Sequence, residues 1–113
     1  MLPKVNLLRK EKDFAAVFEK NRSFNGSILG MKVRTNQNET IRFGFLVGLK
    51  VSKRACKRNL VKRRMKYAIG QHLFEIRPGQ DFVLIGFPLI LNKSYQEIAK
   101  EIDEGLVKLK ALL

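Results

Sequence analysis

Residues Asp81–Phe87 read DFVLIGF. After the opening acid the run is apolar apart from one glycine, too short for a helix and without polar–apolar alternation. That pattern predicts a strand covered on both faces. Downstream, Ser94 and Glu97 stand at capping-box spacing ahead of Ile98, Ile102, Leu106, Leu109 and Leu113, so the chain ends in an amphipathic helix. Its acids, Glu97, Glu101, Asp103 and Glu104, fall early and Lys108 and Lys110 fall late, which suits the helix dipole.

Upstream, RPGQ at Arg77–Gln80 ends a longer helix that begins in Lys53–Lys66, KRACKRNLVKRRMK, and runs to about Ile76. Val61, Met65, Ala68, Ile69, His72 and Ile76 follow spacings of three and four and form its apolar stripe. Arg58, Lys62 and Lys66 make a row beside that stripe, with Lys57 and Arg64 on the other flank. Cys56, Leu60, Tyr67 and Phe74 form a second, weaker apolar seam. Before this helix, TIRFGFLVGLKV places Ile41, Phe43, Phe45, Val47, Leu49 and Val51 on one parity, and SILGMKVR alternates Leu29, Met31 and Val33 against Gly30, Lys32 and Arg34. With TNQNET as a turn between them, these two runs read as an antiparallel hairpin. Near the start, Phe14, Val17 and Phe18 mark a short amphipathic helix. The order helix, strands, basic helix, strand, helix is that of an α+β sandwich with helices packed on one sheet, a single domain over residues 1–113.

The chain's net charge of +13 is unevenly spread. Residues 1–39 hold eight bases and four acids, 40–74 ten bases and no acid, and 75–113 five bases and six acids. Lys53–Lys66 alone carries eight bases in fourteen residues. Solvated basic helices interleave Glu for i,i+4 pairing, whereas here each neighbouring like-charge pair costs about 0.2–0.5 kcal/mol. A polyanionic partner accounts for tolerating that cost: nucleic acid first, with a membrane surface or an acidic protein as the other readings. Strands on both sides of the basic helix differ from the two-helix arrangement of common DNA groove readers, and aromatics near a basic surface would favour unpaired RNA. Phe14 and Phe18 are candidates for that stacking, although taken alone they read as core.

Catalytic patterns are sparse. His72 is the one histidine and falls on an apolar stripe, where a structural role is expected. Cys56, the one cysteine, excludes an internal disulfide and a cysteine-rich metal site, fits a reducing cytoplasmic setting, and reads as a small buried residue. Asp13, Asp81 and Asp103 are scattered, so a metal nuclease would require them to meet in space. GFLVGLK lacks the Lys-Ser/Thr ending of a phosphate loop. The N-terminus lacks the apolar run of about 7–15 residues of a signal peptide, and no stretch of about 18 apolar residues could span a membrane.

Taken together, LRKEKDFAAVF, RFGFLVGLK, ACKRNLVKRRMK and DFVLIGFP resemble the bacterial ribonuclease P protein family from about Leu7 to the C-terminus. The family's Arg-Asn-Arg stands here as Arg58-Asn59-Leu60, its paired strand-end lysines as Leu49-Lys50, and Gly86-Phe87 stand where a base often follows the strand. The first strand has Met31 rather than an aromatic, and Arg64 replaces a common apolar residue, so the chain reads as a divergent member. The resemblance implies an α+β sandwich with a left-handed βαβ crossover, similar to a small-subunit ribosomal protein domain. It implies a non-catalytic protein component of an endoribonuclease whose RNA subunit, with precursor tRNA, holds the Mg2+ and removes the 5′ leader. By position, Lys50, Lys53, Arg54, Lys57, Arg58, Asn59, Lys62, Arg63 and Lys66 would contact the catalytic RNA, and Phe14, Phe18, Phe43 and Phe45 would line a cleft for the leader. No membrane or small-molecule substrate is expected. The competing reading is a ribosomal-protein-like or DNA-binding basic module with no part in tRNA processing.

Overall fold

A computed structural model describes residues 2–37 and 39–113. Met1, and Asn38 of the expected TNQNET turn, lie outside the described residues. Helix α1 spans Glu11–Glu19, followed by strands β1 (Arg22–Asn25), β2 (Leu29–Thr35) and β3 (Arg42–Leu46). Helix α2 (Ala55–Gly70), strand β4 (Gln80–Gly86) and helix α3 (Tyr95–Lys108) complete the order, with 3-10 turns at Lys4–Asn6 and Pro88–Asn92. One four-stranded sheet has the order β1-β2-β4-β3. β4 is therefore an inner strand, and its apolar run is buried from Gln80 to Leu84, as DFVLIGF predicts.

The expected hairpin between the second and third runs does not form. β2 pairs antiparallel with β4, and β3 pairs parallel with β4, so β4 separates them. Alternation fixes which residues share a face but not which strand lies alongside, and each run proved to be a partner for the later strand. The real hairpin is β1 with β2, Arg22 opposite Val33 and Asn25 opposite Gly30. Since β3 and β4 are parallel, α2 is the crossover that joins them.

Strand parity divides the sheet into two unlike faces. Phe24, Leu29, Met31, Val33, Phe43, Phe45, Phe82 and Leu84 join Val61, Met65, Ile69, Ile98, Ile102 and Leu106 of α2 and α3 in one buried core. Phe43 stacks on Phe82 with ring centroids 5.1 Å apart. The opposite face holds a smaller cluster of Leu8, Val17 and Val83 with Phe14 and Ile85 against it. A Cβ on Gly44 would run into the Phe14 ring, so glycine here lets α1 lie close upon β3.

The basic helix ends earlier than its periodicity implies. α2 stops at Gly70, and Gln71–Glu75 form turns before Ile76 bridges to Leu112. Ile76 is still buried, reached through the turn rather than along a helix face. His72 is half-buried between Glu75 and Asp103, a tie from this turn to α3. Glu101 of α3 accepts hydrogen bonds from the backbone N–H groups of Ser27, Ile28 and Leu29 at 2.8–3.1 Å, fixing α3 to the β1–β2 turn.

Candidate nucleic-acid interface

The loop from β3 into α2 is held by its apolar residues. Val47 and Val51 are buried, while Gly48, Leu49 and Lys50 between them are exposed in a turn closed by Val51 N–H to the Gly48 carbonyl at 3.0 Å. Arg58 donates to the Ser52 carbonyl at 2.9 Å, so one guanidinium N–H braces the loop and others are left to act elsewhere. Lys50, Lys53, Arg54, Lys57, Asn59 and Arg63 are exposed, and Arg58, Lys62 and Lys66 are half-buried beside the stripe that Val61 and Met65 seat in the core. The Lys66 ammonium lies 5.8 Å from the centroid of the Phe45 ring. These cations thus run from the loop after β3 along α2 as far as Lys66.

Helix α2 has no side-chain N-cap bond and no acid in its first turn, and its N-cap residue is Arg54. The positive end of the helix dipole therefore coincides with Lys53, Arg54, Lys57 and Arg58, which intensifies the local attraction for anions. Cys56 is exposed within this turn, correcting the expectation of a buried thiol. The row at Arg58, Lys62 and Lys66 lies against the core, and Cys56 falls on the outer side of the helix. Arg64, on the far flank, donates to the Lys93 carbonyl at 2.9 Å and fastens α2 to the approach of α3.

The four phenylalanines expected in one cleft are divided by the sheet. Phe43 and Phe45 are buried in the core under α2 and α3, on the face opposite α1, and cannot line a groove beside α1 with Phe14 and Phe18. Phe14 is half-buried over Gly44, and Phe18 is 44% exposed. The residues that share their face are Lys32 and Arg34 of β2, Leu46 of β3 and Ile85 of β4, by strand register. Phe87 joins them, since its ring is the nearest group to the open side of Gly30, opposite Ile85. Sequence reading passed over this set because its polar–apolar alternation carries no label for which face α1 covers. Leu46 pairs with Ile85, and the basic loop starts at the next residue, so the open face and the basic stretch adjoin.

At the other end of this face Asp81 is almost fully buried and is held by Arg42 through bonds of 2.9 and 2.7 Å and by Asn36 at 2.8 Å. Asp13 of α1 reaches the same guanidinium at 3.4 Å. The Asp81 hydrogen bonds raise the Arg42 pKa, outweighing partial burial. Two of the three scattered acids do meet, then, but around an arginine, while Asp103 pairs with His72. Among the described residues no three His, Cys, Asp or Glu side chains are placed to hold a metal ion. No described helix is long and apolar enough to cross a membrane.

The fold and this surface define an α+β protein whose parallel crossover helix carries a cationic end beside a half-covered aromatic face. The sequence matches the family Ribonuclease P over residues 2–110. It is 34% identical to the ribonuclease P protein component of Pseudanabaena sp. (strain PCC 6903), covering 99% of this chain and 97% of that one. With that of Lactobacillus helveticus (strain DPC 4571) it is also 34% identical, over 88% of this chain and 82% of the other. The Staphylococcus aureus RNase P protein structure matches the fold with a TM-score of 0.89 at 21% identity, over 97% of this chain and 100% of that chain. The Thermotoga maritima RNase P protein matches at 0.78 and 23% identity, over 91% and 94%. This chain belongs to the ribonuclease P protein family, whose members are protein components of an endoribonuclease.

Proposed function

We propose that this chain is the protein subunit of a cytoplasmic ribonucleoprotein that removes the 5′ leader of precursor tRNA, with the chemistry carried by the RNA. The observation that supports this reading most is the acid-free segment 40–74, nine of whose ten cations lie on the β3–α2 loop and α2, the tenth, Arg42, being paired with Asp81. In this reading Lys50, Lys53, Arg54, Lys57, Arg58, Asn59, Lys62, Arg63 and Lys66 contact the catalytic RNA. Single-stranded leader runs over the adjoining open face, its bases against Phe18, Phe14, Leu46, Ile85 and Phe87 and its phosphates toward Lys32 and Arg34. Phe43 and Phe45 support this sheet from behind.

Asp13, Asp81 and Asp103 do not fit a magnesium site, since Asp13 and Asp81 are engaged by Arg42 and Asp103 by His72. We therefore place Mg2+ with the RNA and its substrate. What the protein supplies is positive charge: it offsets repulsion between two polyanions and releases counterions, raising substrate affinity where cations are scarce. The test is reconstitution. RNA-free protein should leave precursor tRNA uncut, and its addition to bacterial ribonuclease P RNA at low magnesium should restore 5′ cleavage. Failure to stimulate several such RNAs, together with firm binding to ribosomal RNA or duplex DNA, would favour the basic-module reading.

A further inference from the structure

Leu60, where the family signature has arginine, lies on the flank of α2 that turns toward the start of α3. It is half-buried and forms a common wall of two adjoining cavities. One, of about 450 Å³, is lined by Leu60, Arg63, Arg64, Lys66 and Tyr67 of α2 with Tyr95 of α3. That volume falls in the range of about 300–1,000 Å³ typical of small-molecule pockets. Tyr67 and Tyr95 meet edge to face with ring centroids 5.4 Å apart and an interplanar angle of 67°. Tyr67 is nonetheless 54% exposed, a large ring half open to solvent on a helix that otherwise shows cations there. The second cavity continues past Leu60 and brings Lys57 and Lys93 to its rim.

Two rings, an aliphatic wall and several cations, with no acid among the lining residues, match a ligand that is flat and apolar in one part and anionic in the next. An unpaired nucleotide has that form, because base stacking on aromatics tolerates any sequence and the phosphates pair with lysine and arginine. Arginine at position 60 would drive a long cation through the shared wall, whereas leucine keeps an apolar surface between the cavities. Resting on the RNA-binding role proposed above for α2, we infer that the Leu60–Tyr67–Tyr95 groove is a second stacking site, which takes an unpaired base of the RNA with adjoining phosphates on Arg63 and Lys57.

Tyr67 and Tyr95 are the chain's two tyrosines, so tyrosine ring resonances in selectively labelled protein report this groove alone. Single-stranded oligoadenylate should shift both ring signals, and an abasic oligomer with the same number of phosphates should not. Tyr67→Ala should weaken oligoadenylate binding at this groove, followed on the remaining Tyr95 ring signal, roughly five- to hundredfold, the range for losing one stacked base, while leaving the salt dependence unchanged. Tyr67→Phe should retain the affinity, and binding of the abasic oligomer should be equal in wild type and Tyr67→Ala. Unmoved tyrosine signals, with Arg58→Ala still weakening the binding of ribonuclease P RNA, would overturn the groove and leave the role of α2 standing. If Arg58→Ala has no effect either, the wider reading fails with it. Ring signals that respond to an acidic peptide and not to RNA would assign the groove to a protein partner and also overturn the inference.

Discussion

Helices α2 and α3 lie side by side on the same face of the sheet, yet only one of them is built to stabilise itself. α3 opens with a complete capping box between Ser94 and Glu97, has its first-turn acid, and ends with Lys108. α2 has no side-chain cap, no acid in its first turn and no base in its last, and its cations crowd the positive end of its dipole. Arg54, Arg58, Lys62 and Lys66 also repeat at i+4, where like charges cost about 0.2–0.5 kcal/mol per pair. The contrast teaches that core contacts at Val61, Met65 and Ile69 hold α2 in place despite its surface, so that the surface is free to serve a ligand.

Changing the surface of each helix should therefore affect different properties. The largest effect is expected from combined Arg58→Ala and Lys62→Ala. Two charge-assisted contacts at about 1.5–3 kcal/mol each imply at least a hundredfold loss of RNA affinity, with a shallower salt dependence. Unfolding in urea should show at most a loss of about 1–2 kcal/mol for this pair, from the Arg58 bond to the Ser52 carbonyl, partly offset by the like-charge repulsion removed. Next, Ser94→Ala should lower stability by about 1 kcal/mol through the lost cap, read as a shift in the urea midpoint with an unchanged slope, and leave RNA affinity intact. Arg54→Asp is the reciprocal experiment, since an acid at the α2 N-cap should raise stability by about 0.5–1 kcal/mol while weakening RNA binding. A destabilised Arg54→Asp chain would break the comparison.

The smallest effect separates the helices by pH. The Ser94 backbone N–H holds the Glu97 carboxyl below its ordinary value. Its ionised form is thus favoured by folding, so this contribution is present above the unfolded carboxylate range and lost as pH falls through the lowered folded value. Glu97→Gln should remove that part of the acid limb of a stability profile. α2, which contains no carboxylate, has nothing to contribute there.

The same contrast explains what could be read in advance. α3 was legible from its cap to Lys108 because its cap, period and charges all point the same way. The helix expected to run on to Leu113 stops there: Lys110 turns the chain at positive φ, Leu112 bridges to Ile76 and Leu113 is exposed. The core stripe of α2 and the inner strand β4 were legible from burial patterns alone. β1 was missed because Arg22–Asn25 is short and mostly polar, with Phe24 its one buried residue. The pairing of β2 and β3 was misjudged because β4, the strand that separates them, comes 34 residues after β3. Composition alone marked the acid-free basic segment as a polyanion-binding face, and the individual residues proposed to contact RNA came from the family resemblance. The aromatic part needed the sheet's two faces to be told apart, and Phe43 and Phe45 looked like Phe14 and Phe18 until the register placed them in the core.

The central claim is that the charge on α2 serves RNA rather than the fold, and a magnesium titration tests it most directly. Precursor tRNA cleavage by ribonuclease P RNA should be followed across magnesium concentrations with no protein, with the wild-type chain, and with the Arg58→Ala, Lys62→Ala chain. The wild-type chain should lower the magnesium requirement, and the variant, still folded at the assay temperature, should return it toward that of RNA alone. A variant that titrates like wild type would contradict it.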